Sequence, residues 1–136
     1  MLDLFSSTAI PALEQSAVFA QRRHQVLAGN LANLDTPNYR SRDLSVDAFQ
    51  NALANSIQQT QSPSASRSPG HAGTVKPAFG DGPRAAMQEV VYHDGSDVGM
   101  EHQVTQIAKN QHMHNLAIAL MRNQFGVLQA AISERV

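Results

Sequence analysis

The stretch from Asp97 to Glu134, DVGMEHQVTQIAKNQHMHNLAIALMRNQFGVLQAAISE, decides the fold. Stepping alternately by four and three from Met100 lands on Val104, Ile107, Gln111, His114, Ile118, Met121, Phe125, Leu128 and Ile132. Eight of those ten positions are apolar. A repeat of 3.5 residues kept up this long predicts a coiled-coil helix rather than a short globular one. At a rise of 1.5 Å per residue that helix is about 50 Å long. Ser96 or Asp97 can cap its start, and Glu101 suits the positive end of its dipole. Leu116 and Leu120 lie beside the stripe and widen it, so more than one neighbour can pack here.

The other end of the chain repeats the pattern more thinly. Ile10, Leu13, Ala17, Ala20, His24, Leu27, Leu31 and Leu34 follow the same spacing, with histidine the one polar member. Ser7 or Thr8 can serve as cap, and Pro11 is tolerated because it falls in the first turn. Gly29 costs about 1 kcal/mol relative to alanine inside a helix. The two helices are natural partners, because the chain leaves along one and returns along the other. The expected fold is all-α: two long terminal helices packed as an antiparallel coiled-coil pair, with a largely irregular middle. Such a pair is expected to bring His24 and His114 to the same level.

Between the helices the composition loosens. Residues 60–84 hold four Ser, four Pro and four Gly, too little apolar surface to offset the entropy of ordering. The division expected is 1–49 for the first helix and the turn after it, 50–96 for a flexible linker, and 97–136 for the second helix.

Composition excludes several functions. With no cysteine, disulfide scaffolds, thiol catalysis and thiolate metal sites are ruled out. A net charge of −1 does not suit a nucleic-acid binder that relies on overall charge. No cleavable secretory signal is expected at the start, and no apolar run approaches the roughly 20 residues that cross a bilayer. His112 and His114 are two residues apart, which on a helix turns them away from one another, so no metal is expected. Neither a nucleophile elbow nor a phosphate loop occurs. No catalytic residue and no cofactor is therefore proposed. Arg40, Arg42, Asp43 and Asp47 read as partners in surface or intersubunit ion pairs. Gln and Asn together equal all charged residues in number, 21 each, which suits helix surfaces that pack against copies of themselves.

The densest local signal follows the first helix: Asn30-Leu31-Ala32-Asn33-Leu34-Asp35-Thr36-Pro37-Asn38-Tyr39-Arg40. Pro37 disfavours helical geometry at Thr36 and so helps to end the helix. Pro37-Asn38 then suits the centre of a type II turn, whose second position needs a left-handed residue. Asn30 and Asn33 can bond the carbonyls freed at the helix end.

This stretch resembles the signature shared by the axial proteins of the bacterial flagellum, approximately Asn-x-Ala-Asn-x-x-Thr-Pro-Gly-Tyr. Asn30, Ala32, Asn33, Thr36, Pro37 and Tyr39 match, and Asn38 stands where glycine is usual. Within that group the short length, the strand-poor middle and the late C-terminal helix resemble the proximal-rod family, FlgB. In Asp94-Gly95-Ser96-Asp97-Val98-Gly99-Met100-Glu101, Gly95, Val98, Met100 and Glu101 fit that family's second motif, while Ser96 and Gly99 depart from it.

The resemblance implies a structural subunit of the flagellar basal-body rod, not an enzyme. It would polymerise through its terminal helices into the shaft that carries torque from motor to hook. Implied partners are further copies of the chain, the other rod proteins, and, at the base of the rod, the inner-membrane ring and the export gate with its adaptor. The flagellar type III apparatus would deliver the chain to the periplasmic rod, with no nucleic acid and no membrane insertion involved. The residues expected to pack are Leu13, Ala17, Ala20, His24, Leu27 and Leu31 on one helix. On the other they are Val104, Ile107, His114, Ile118, Met121, Phe125, Leu128 and Ile132. A neighbouring rod protein of FlgC type is the alternative within the group. A cytoplasmic coiled-coil adaptor or chaperone is the alternative outside it, and would form a stable dimer in solution.

Overall fold

A computed structural model of the chain describes residues 9–61, 82–92 and 99–133. Its order is α1 (Ile10–Ala32), β1 (Arg42–Leu44), α2 (Val46–Gln61), α3 (Gly82–Ala85), β2 (Glu89–Val91) and α4 (Met100–Ser133). The protein is mostly helical, with α1 and α4 packed along one another. Ala9 caps α1 with no side-chain acceptor, and Pro11 occupies the first turn, where its missing N–H costs little. The expected caps Ser7, Thr8, Ser96 and Asp97 lie outside the described residues, as does most of 60–84.

Part of the expected linker is regular structure. Residues 50–61 belong to α2, which starts because the Ser45 hydroxyl accepts from the Ala48 N–H at 3.2 Å and Asp47 sits in the first turn. Val46, Phe49 and Leu53, at helical spacing, then face inward. Phe49 stacks on Phe19 of α1, ring centroids 4.2 Å apart and 13° from parallel. Leu44 and Met87 close this small core, with Val46 and Leu53 at its edge. β1 and β2 form a two-stranded antiparallel ribbon, pairing Arg42 with Val91, Asp43 with Val90 and Leu44 with Glu89. The ribbon ties the segment after α1 to the segment before α4.

The α1–α4 pair is antiparallel but differs from expectation in rotation and in level. On α4 the buried residues are Gln103, Asn110 and Ala117, with Gln106, Ile107, His114, Ile118, Met121, Gln124 and Leu128 partly covered between and beyond them. This stripe shares Ile107, His114, Met121 and Leu128 with the expected one. The alternate positions are displaced by one residue, from Val104 to Gln103, Gln111 to Asn110, Ile118 to Ala117 and Phe125 to Gln124. At 100° per residue, α4 is turned about 50° from the face its apolar pattern selects. Val104 is exposed beside the seam, whereas Phe125 and Ile132 are exposed where α4 runs past the level of Ile10, the start of α1. Polar contacts across the pair hold α4 in this rotation.

Those same contacts fix the level. Asn30 meets Gln103, Arg23 meets Gln106 and Asn110 meets the Ala20 carbonyl. His24 therefore stands opposite residue 106 or so, and His114 opposite residue 16 or so. The two histidines are about 12 Å apart along the axis, more than two turns, and His24 faces solvent. The expectation that they share a level is wrong, because the contacts of Arg23 and Asn30 set the register.

Candidate functional site

The chain reverses after α1 through the signature residues. Asn33 is the C-cap, and its side-chain amide donates to the Gly29 carbonyl at 2.8 Å. Its Oδ1 accepts from the Thr36 hydroxyl at 3.4 Å. The turn Thr36–Tyr39 closes with the Tyr39 N–H donating to the Thr36 carbonyl at 3.2 Å. Asn38 has φ of 63°, the left-handed geometry that a turn with Pro37 before it requires and that asparagine adopts more readily than most residues. Ala32, Pro37 and Asn38 are exposed, Leu31, Asn33, Leu34 and Tyr39 partly covered.

Asn30 does something other than cap. It is 2% exposed, and its amide is the hub that holds the returning chain. Its Nδ2 donates to the Arg42 carbonyl at 2.6 Å and to Gln103 Oε1 of α4 at 3.4 Å. Its Oδ1 accepts from the Tyr39 hydroxyl at 3.1 Å and from the Arg42 N–H at 3.0 Å. An asparagine side chain has two N–H donors and a carbonyl with two lone pairs, so all four capacities are used. One side chain thereby ties α1, the signature turn, β1 and α4 together.

A second polar layer lies about two turns along α1. Arg23 Nε donates to Asp43 Oδ1 at 2.7 Å, and Nη2 to Oδ2 at 2.6 Å, a bidentate pair with both side chains nearly buried. Nη2 also donates to Gln106 Oε1 at 3.1 Å. Asp43 accepts in addition from the Leu44 N–H at 2.7 Å. The hydrogen bonds to Asp43 hold the Arg23 pKa above the ordinary guanidinium value, outweighing the burial that would lower it. A third layer is the buried Asn110 amide donating to the Ala20 carbonyl at 2.7 Å. Of the four charged residues read as ion-pair formers, Asp43 forms this buried pair and Arg42 a surface pair with Glu89 at 3.4 Å. Sequence reading named Asn30 but not its task, and missed Arg23, Gln103 and Asn110 because their partners lie far along the chain.

The packing residues divide into two groups. Leu27 is 1% exposed; Ala17, Ala20 and Ala117 are buried, and Leu13, Leu31, Ile107, His114, Ile118, Met121 and Leu128 are partly covered. Val104, Phe125 and Ile132 are exposed, and so are Met100, Met113, Leu116, Leu120 and Val127. Around the α4 axis these exposed side chains form two flanking stripes. Met113, Leu116, Leu120 and Val127 lie on one side; Met100, Val104, Phe125 and Ile132 lie on the other, about 160° away at 100° per residue. Beside Met113 the first stripe runs into an open groove of about 770 Å³, floored by Phe19 and Ala20 and walled by Phe49 and Leu53 of α2. No helix among the described residues is long and apolar enough to cross a membrane.

No protein-family model matches the chain, and no solved structure matches it. Two curated proteins do. The flagellar basal body rod protein FlgB of Bacillus subtilis is 26% identical over 133 residues, which cover 97% of this chain and 98% of that protein. The flagellar basal body rod protein FlgB of Aquifex aeolicus is 69% identical over 26 residues, which cover 19% of this chain and 21% of that protein. Along nearly its whole length the chain is thus similar to flagellar basal body rod proteins named FlgB, and the similarity agrees with the paired terminal helices and the Asn30–Tyr39 turn.

Proposed function

We propose that the chain is a structural subunit of the proximal rod, polymerising through its terminal helices into the drive shaft that transmits torque from motor to hook. The observation that carries this reading is the pair of exposed apolar stripes on α4. They face nearly opposite directions, so each copy offers two different surfaces. Contact between unlike surfaces repeats from copy to copy and builds a ring or a helical tube rather than a closed dimer. Eight apolar side chains, each about half exposed, would regain about 1 kcal/mol apiece on burial. A sum of about 8 kcal/mol falls within the 4–15 kcal/mol that association costs in lost freedom. Binding therefore also needs the groove between α2 and α4.

The same stripes leave a lone chain with greasy surface and modest stability, which suits passage through the flagellar type III apparatus in an unfolded state. In the assembled basal body the partners are further copies, the other rod proteins and, at the base, the inner-membrane ring and the export gate with its adaptor. The subunit works in the periplasmic rod. No reaction is needed for this role, and no residue is assigned to catalysis.

The test is complementation of a host lacking its own copy with Leu116→Glu/Leu120→Glu. These exposed positions tolerate charge in the lone chain, so the variant should be made and exported but should build no rod, and cells should not swim. Normal swimming would remove that stripe from the assembly surface.

A further inference from the structure

The seam of the α1–α4 pair is built from the wrong residues for a coiled coil, and this points to a purpose. α4 has Val104 half exposed beside the seam, on the face that its apolar pattern selects, yet turns that face about 50° away from α1. Gln103 and Asn110 take the inward places instead, and α1 contributes the buried amides of Asn30 and of Gln15, whose Oε1 has no hydrogen-bond partner among the described residues. Each buried amide whose partner is known reaches a particular atom: Asn30 Nδ2 to Gln103 Oε1, and Asn110 Nδ2 to the Ala20 carbonyl. Arg23, fixed by Asp43, adds its bond to Gln106. If α4 rolled to bury Val104, Gln103 would leave Asn30, Gln106 would leave Arg23 and Asn110 would leave the Ala20 carbonyl, so the roll forfeits all three contacts. Single buried polar residues are known to choose register in coiled coils at some cost in stability.

We infer that Gln103, Asn110 and their α1 partners form a rotational key, which selects the roll of α4 and keeps Val104 pointing outward instead of letting the chain bury it against its own α1. The key acts within one chain. That the outward face then meets a neighbouring copy rests on the rod reading above.

The chain has no cysteine, so single cysteines report the roll cleanly. Val104→Cys sits on the outward face and Ala117→Cys in the seam, and each is labelled with a maleimide in an osmolyte that favours burial. In the native chain the position-104 cysteine should react faster than the position-117 cysteine. Gln103→Met/Asn110→Leu removes the key while conserving volume and helix propensity. The order of labelling should then invert, with helicity by circular dichroism retained. Adding Ile118→Gln to that background should restore the native order, since the roll would bury that amide more deeply. An unchanged order in Gln103→Met/Asn110→Leu would overturn the key. Should that variant lose its helicity, Gln103→Met alone is read the same way: a lowered ratio of 104 to 117 labelling supports the key and an unchanged ratio overturns it. Inverted labelling in cells that still swim would keep the key and discard the outward face as an assembly surface.

Discussion

Asn30→Ala is the sharpest single perturbation of the fold. The side chain is 2% exposed and makes three hydrogen bonds of 2.6, 3.1 and 3.0 Å and a longer one of 3.4 Å. Each ordinary bond contributes about 0.5–1.5 kcal/mol net, and each buried group left without a partner costs about 1–3 kcal/mol. Truncation orphans the N–H and C=O of Arg42 at the start of the ribbon. The Tyr39 hydroxyl is partly covered and can turn to water, which moderates its share. A loss of about 3 kcal/mol follows, large against a total stability of about 5–15 kcal/mol for a typical domain. Urea unfolding followed by circular dichroism in a stabilising osmolyte reads it as a lower midpoint at unchanged slope. Tyr39→Phe removes one of the four bonds and should lose only about 0.5–1.5 kcal/mol. An Asn30→Ala loss below about 0.5 kcal/mol, the size expected of an ordinary surface substitution, would refute the hub.

Four further outcomes follow from the same geometry. Asp43→Asn keeps the shape but leaves the Arg23 guanidinium buried without its counter-charge, so unfolding should be easier by about 3–5 kcal/mol. Because the folded pKa of Arg23 is raised, its share of stability is complete below the unfolded value and disappears only as pH climbs through the folded one. A denaturation series from pH 6 to pH 9 should therefore show no loss traceable to that residue. Asn38→Val forces a β-branched residue to φ of 63° and should cost about 1–2 kcal/mol, whereas Asn38→Gly should be near neutral; equal midpoints for the two would contradict the turn. Gly29→Ala should stabilise by up to about 1 kcal/mol, since an added methyl meets nothing closer than the Tyr39 hydroxyl at 4.0 Å; a loss in thermal melting would show that the helix end needs glycine.

What could be read from sequence was what residue type decides locally. Asn38 after Pro37 specifies a left-handed turn whatever the rest of the chain does, and the long apolar periodicities specify two paired helices. What could not be read was set by distant partners. The roll of α4 follows from Asn110 meeting Ala20 and Gln103 meeting Asn30, contacts that hydrophobic pattern does not register. Asp43 looked like a surface charge because Arg23, its partner, is twenty residues earlier on α1. The start of α2 was open to reading, since Ser45 precedes Asp47 and the inward Val46, Phe49 and Leu53. It was passed over because the loose composition beginning near residue 60 coloured the whole middle.

The direct measurement is density for purified, assembled basal bodies at side-chain detail. The account predicts α4 with Leu116 and Leu120 against one neighbour and Val104 and Phe125 against another, while Asn110 still meets Ala20 within each copy. A rod in which those four side chains face solvent, or in which α4 has rolled to bury Val104 against its own α1, would contradict it.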